Sequence, residues 1–314
     1  MANRLAWIDL LRGMAIFAVL VDHYNIFPGY VRQYSYCSVS LFFLAIGVTT
    51  YCGMVNSGDS SFGGRLVKTQ KFVFFYAIAT VVYMLYSGNI GWAALYKNLV
   101  TFAANPPFYF CAIYLQIGLI SGILYRIISR SSPSFCLLWL VLSFVVADGL
   151  KSAVILPNLH GAGKHLFGST FLAVAFCGMC LGKYYEALKR FRSWLLIFSI
   201  TVLGLMIILA SPLSGPYLNF SGNPPRPPAL IYAFSIFITI SMIDYKWNDP
   251  ISKIFRFLGK YSVHIFMYHS LLLKALRPVG NRYLIFLGAL LLPIILGYLL
   301  NGVQKRLMKG RRSC

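Results

Sequence analysis

Ile8-Asp9-Leu10-Leu11-Arg12-Gly13-Met14-Ala15-Ile16-Phe17-Ala18-Val19-Leu20-Val21-Asp22-His23-Tyr24 reads as an apolar helix of nearly bilayer length that carries four ionisable side chains. The rest of the chain explains why such a segment exists. The sequence has 314 residues, 59% hydrophobic and only 11% charged. Soluble domains carry about 25% charged residues, so this chain lacks the polar surface to cover a core in water. Nine further apolar runs follow, near 36–55, 71–87, 106–128, 135–151, 165–184, 193–211, 228–244, 260–277 and 282–303. The breaks between them hold turn residues, among them Pro28-Gly29, the Gly58 to Gly64 stretch and Asn105-Pro106-Pro107. The expected fold is an all-α integral membrane protein, a bundle of about ten transmembrane helices. No polar stretch is long enough for a soluble domain, so residues 1–314 are expected to form one transmembrane domain.

The charge is lopsided: 28 Lys and Arg against 7 Asp and Glu, a formal net charge of +21. The apolar content argues against a nucleic-acid partner, and basic residues of a membrane protein collect in cytoplasmic loops. With ten crossings and the N-terminus inside, nineteen basic residues fall on the cytoplasmic side and eight outside, Arg12 lying within the first span. Both termini are therefore expected in the cytoplasm, with membrane lipid as the surrounding partner. Trp7, Tyr30, Tyr51 and Trp92 at span ends read as an interfacial aromatic belt. The seven cysteines include one Cys177-x-x-Cys180 pair, read as packing residues. No metal site is expected: His264 and His269 are five residues apart, diverge by about 140° on a helix and have no third ligand nearby.

Ionisable groups at membrane depth are costly and usually face a polar cavity in which they work. Arg12 and His23 are eleven residues apart, which on an ideal helix puts them on one face, about 16 Å apart along the axis. Asp9 lies one turn before Arg12, within pairing reach, and Asp22 flanks His23. A neutral imidazole can take a proton from an alcohol near neutral pH, so His23 reads as a general base. Arg65, Lys68 and Lys71 cluster at an expected cytoplasmic mouth, where cations can bind phosphates.

Asp9-Leu-Leu-Arg12-Gly13, with His23 ten positions beyond Gly13, resembles the opening of the acyltransferase-3 family of integral membrane acyltransferases. Ser38-Val-Ser40-Leu-Phe42-Phe43-Leu-Ala-Ile46-Gly47 resembles the family's Gly-Val-polar-Leu-Phe-Phe-x-x-Ser-Gly stretch, with Ser38 in place of Gly and Ile46 in place of Ser. Lys68-Thr-Gln-Lys71 stands where the family has Arg-x-x-Arg, with Arg65-x-x-Lys68 as the other register. Leu258-Gly259-Lys260-Tyr261-Ser262-Val-His264-Ile265-Phe266-Met-Tyr268-His269 resembles its Leu-Gly-x-x-Ser-x-x-Ile-Tyr-Leu-x-His span, with Phe266 for Tyr.

The resemblance implies a transmembrane acyltransferase domain in a multi-pass protein of the bacterial inner membrane. It implies acetyl-CoA, or another short acyl-CoA, as cytoplasmic donor. The acceptor would be a hydroxyl of an exported glycan or lipid-linked saccharide, so that the product is an O-acetylated polysaccharide. His23 is then the catalytic residue, as base or as acyl carrier, supported by Arg12 and Asp9. Arg65, Lys68 and Lys71 hold the donor, and Ser40 and His269 meet the substrate. Two rival readings share these features: a transporter or flippase for a lipid-linked sugar, and an N-acetyltransferase acting on an amino sugar.

Overall fold

A computed structural model describes residues 6–24, 27–152, 169–211, 220, 227–244 and 249–310. Ten helices of sixteen residues or more run through the described residues: α1 (Ala6–His23), α3 (Ser38–Ser57), α4 (Phe62–Ser87), α6 (Tyr109–Arg130), α7 (Pro133–Ser152), α8 (Ser169–Lys189), α9 (Arg192–Ala210), α10 (Pro227–Met242), α11 (Pro250–Ala275) and α12 (Arg282–Gly310). Two shorter ones, α2 (Gly29–Arg32) and α5 (Trp92–Thr101), sit in connections.

Among the described residues, six helical stretches are long and apolar enough to cross a membrane: Gly29–Ser57, Phe62–Ser87, Pro106–Arg130, Thr170–Lys189, Arg192–Ala210 and Arg282–Gln304. Pro133–Val146 and Pro227–Met242 are apolar but shorter. The chain is a multi-pass membrane protein. The helices α1 and α11 carry ionisable groups within their apolar lengths, Asp9, Arg12, Asp22 and His23 on one and His264 and His269 on the other, and they pack extensively against each other. Their facing sides are covered by protein, which is where ionisable groups at this depth belong.

Glycine permits that contact. A Cβ on Gly13 would strike the backbone carbonyl of Phe255, and one on Gly259 would strike the carbonyl of Asp9. The two backbones touch directly, in the manner of small-residue interfaces in membranes. The pairing of 9–13 with 255–259, and of His23 with His269, makes α1 and α11 parallel. A second crossing of this kind joins α3 to α8, where Gly47 abuts the Ala175 carbonyl and Gly178 abuts that of Leu44. The end at which α1 and α11 begin is called the near end, and the end at which they finish the far end.

Some boundaries differ from the sequence reading. The third apolar run, expected from 71, is a helix from Phe62, because Ser61 caps it by accepting from the Gly64 amide. Gly63 and Gly64 thus lie inside a helix rather than in a turn. Trp7 is not a belt residue: it is 6% exposed, stacked on Tyr185 and edge-on to Phe237. Tyr51 packs on Tyr125, whereas Tyr30 and Trp92 are exposed. Cys177 and Cys180 are buried and free. Residues 157–165, and the side chains of Asp148 and Lys151, lie outside the described residues.

Candidate active site

At the far end, the last residue of α1 meets α11. The imidazoles of His23 and His269 stack with centroids 5.1 Å apart and planes 9° from parallel. His269 is fully buried. Its Nδ1 lies 2.7 Å from the Phe266 carbonyl oxygen and 3.2 Å from that of Ile265. A carbonyl can only accept, so Nδ1 carries the proton and Nε2 presents a lone pair. That Nε2 is buried without a hydrogen-bond partner. The Tyr24 hydroxyl donates to the His269 carbonyl at 2.6 Å, tying the end of α1 to α11 a second time.

His23 is flanked by Asp22, whose Oδ2 is 3.8 Å from His23 Nδ1. The other carboxylate oxygen lies 3.8 Å from Arg32 Nη2, which comes from α2. These are ion-pair distances rather than hydrogen bonds. They leave His23 Nε2 as the nitrogen available to a reacting group.

Behind His269 is a buried polar chain. The Tyr83 hydroxyl and Ser270 Oγ are 2.7 Å apart, and Ser270 Oγ donates to Asn105 Oδ1 at 2.9 Å. Asn105 is extended (φ −152°, ψ 135°), as a residue before proline prefers, and this turns its side chain in under α6. Its Nδ2 is also buried and unpartnered.

Toward the near end, Arg12 Nη2 donates to Thr49 Oγ1 at 2.9 Å, and Thr49 Oγ1 donates on to the Ala45 carbonyl at 2.8 Å. Thr49 is part of the wall of a cavity of about 220 Å³, completed by Arg65, Thr69, Tyr114 and Ser121 among others. Arg65 is 6% exposed. One Nη donates to the Asp59 carbonyl, and its Nε has no partner. No acidic side chain pairs with it among the described residues, so a buried guanidinium faces this cavity without a counter-anion. Burying such a charge is costly unless something compensates it.

An aromatic layer stands between the two ends. Phe110 and Phe266 have centroids 4.5 Å apart, and Phe42 lies 5.9 Å from Phe110 and 6.3 Å from Phe266. Tyr114, on the cavity wall, is 6.3 Å from Phe110, and His269 is 5.6 Å from Phe266. Rings thus run without a gap from the cavity to the histidine pair.

The structure brings His23 and His269 together; Arg65 lines the cavity, and Arg12 is linked to it through its hydrogen bond to the lining residue Thr49. Asp9 is buried near the start of α1, fourteen residues before His23, about 21 Å along the axis. It belongs with Arg12 rather than with the histidines. Ser40 is fully buried with its hydroxyl unpartnered. In the antiparallel register set by Arg12 and Thr49, it falls near the level of His23 but bonds to neither histidine. The side chains of Lys68 and Lys71 lie outside the described residues. His264 faces away from the site: it packs edge-on to Phe75 at 4.6 Å and receives a long contact, 3.4 Å, from Asn301 Nδ2. Sequence reasoning missed Tyr24, Tyr83, Asn105, Ser270 and the contact of Arg32. Asn105 left a trace as the residue before Pro106, but it was legible only as a turn.

The model of the acyltransferase-3 family, described as an acyltransferase domain, matches residues 5–302. No curated protein and no solved structure matches the chain.

Proposed function

The chain belongs to the acyltransferase-3 family and is a membrane acyltransferase; we propose that it moves an acetyl or other short acyl group from cytoplasmic acyl-CoA to a hydroxyl of an exported glycan or lipid-linked saccharide. In this reading residues 1–314 form one domain of ten spans in a bacterial inner membrane. The near end and both termini are cytoplasmic, which fits the positive-inside distribution of Lys and Arg. No metal takes part.

The observation that carries the reading is the separation of two chemically distinct poles along α1. The near pole is a cavity lined by the buried Arg65, whose Nε has no partner, with Arg12 bonded to the lining residue Thr49, suited to the anionic groups of a CoA donor. Positions 68 and 71, both lysine, follow Arg65 in the sequence of α4. The far pole is the stacked histidine pair, suited to proton transfer. His23 Nε2 takes the proton of the acceptor hydroxyl as its oxygen attacks the thioester carbonyl. The C–S bond breaks, and the thiolate takes the proton that His23 held. If His23 itself carries the acyl group, its nitrogen attacks first and the hydroxyl displaces it in a second step. His269, its Nε2 lone pair buried beside His23, accepts a hydrogen bond from the acceptor, with Ser40 at the same level. The Phe42, Phe110 and Phe266 layer lies across the route, so displacement of Phe42 and Phe110 from Phe266 belongs to the cycle.

The test is protein reconstituted in vesicles and supplied with acetyl-CoA and glycan from cells lacking it. The reading requires thiol release and a base-labile acetyl increment on the glycan, both dependent on His23. An acyl increment that resists base identifies an amide, and hence N-acetylation of an amino sugar. A protein that leaves acetyl-CoA intact while moving lipid-linked sugar is a flippase.

A further inference from the structure

Arg126 and Arg130 lie one helical turn apart at the near end of α6, both exposed. Arginine at a helix C-terminus usually serves the last carbonyls, but here Lys183 has that task. Its Nζ donates to the carbonyls of Ile128, Ser129 and Ser131 at 2.7, 3.2 and 2.6 Å. Nor does an acid occupy the arginines among the described residues. Glu186 pairs with Lys189, Asp244 with Arg192, and Asp22 with Arg32. Asp59 and Asp249 accept from backbone amides at helix starts. Asp9 is buried on α1, and Asp148 is fifteen residues beyond the start of α7, about 22 Å away.

Both arginines border a groove of about 580 Å³ that continues over Ser131 and Ser132 to Phe135 and Trp139 on α7. Those rings pack edge to face at 5.9 Å and are 44% and 40% exposed. Exposed Leu142 and Val146 extend the same face at three- and four-residue spacing. From Phe135 to Val146 this ridge runs about 16 Å up the bundle. Two uncompensated cations at one end of an outward apolar track match a molecule with an anionic head and a hydrocarbon chain.

We propose that this groove is a binding site for an anionic phospholipid, its phosphodiester held by Arg126 and Arg130 and one acyl chain lying along Phe135, Trp139 and Leu142. The site is separate from the donor cavity and does not depend on the proposed reaction. Basic pockets between membrane helices recognise lipid head groups in this way.

Native mass spectrometry of the full chain, with phosphatidylglycerol and phosphatidylcholine of identical chains, tests the site. Wild type is expected to retain phosphatidylglycerol preferentially, and R126Q/R130Q to bind it roughly thirtyfold more weakly, from about 1 kcal/mol per cation. Binding of phosphatidylcholine, whose phosphodiester is neutralised by its own choline cation, is expected to change far less. The variant K274Q/R277Q removes the same charge at the far end and is expected to retain the lipid as wild type does. Equal retention by R126Q/R130Q overturns the proposal, and so does equal loss in K274Q/R277Q, which reduces the effect to net charge. Displacement of the lipid by coenzyme A at equal concentration also overturns it, assigning the arginines to nucleotide phosphates. A thermal melt of R126Q/R130Q matching wild type excludes unfolding as the cause.

Discussion

His23 and His269 lie face to face, centroids 5.1 Å apart and planes 9° from parallel, across the seam between α1 and α11. One ring is half exposed and flanked by a carboxylate, and the other is sealed, with its proton fixed on Nδ1. The pair is asymmetric, and the two replacements should behave differently. His23→Ala is expected to lower thiol release from acetyl-CoA by about 10²–10⁴-fold, the range of a lost general base, with its melting temperature near wild type. Full transfer by this variant removes His23 from the chemistry.

His269→Gln removes the stacked ring and the buried Nε2. The expected result is a rise in KM for the acceptor with little change in KM for acetyl-CoA, measured by varying each substrate in turn. A variant that raises both equally indicates general loss of structure at the far end.

Arg65→Gln and Arg12→Gln act at the other pole. Each removes a cation able to make charge-assisted hydrogen bonds, worth about 1.5–3 kcal/mol. The KM for acyl-CoA should therefore rise by roughly ten- to a hundredfold while the KM for acceptor holds. Isothermal titration with coenzyme A checks the same point without turnover.

Phe110 is in contact with Phe42, Phe43, Phe266 and Tyr114. Phe110→Ala opens the aromatic layer at its most connected ring. Hydrolysis of acetyl-CoA without acceptor should increase, because water gains a path between the poles. The cost of emptying such a site is about 3–5 kcal/mol, so the melting temperature is expected to fall as well.

Gly13→Ala puts a methyl group into the Phe255 carbonyl. Overpacking of this kind costs about 1–3 kcal/mol, and it acts where α1 and α11 share their register. A lower melting temperature and lost activity are expected together, without any change to a polar side chain.

Much of this architecture was written in hydropathy. The runs at 193–211 and 282–303 coincide with α9 and the bulk of α12, because lipid-facing helices must be apolar all round. His23 and Arg12 were legible for the opposite reason: ionisable groups are conspicuous in an apolar run. What one helix faces was not legible. Trp7 read as a belt residue, yet it packs inside on Tyr185, since apolar positions facing protein and facing lipid look alike in sequence. Arg32 was one charge among many in an external segment, and only the fold carries it to Asp22. Likewise Ser270 and Asn105 are 165 residues apart, so no spacing rule connects them.

The backbone contact at Gly13 and Gly259 has a mechanical consequence. Two helices whose main chains touch cannot slide or rotate independently, so α1 and α11 act as a stator that holds both histidines in fixed relation. Phe266 belongs to that stator, whereas Phe42 and Phe110 belong to α3 and α6. In the proposed reaction, whatever yields to let an acyl group through comes from those two helices. The cargo would then cross a stationary frame, and a catalyst built this way would have no need of the rocking halves by which a carrier exposes one site to each side in turn.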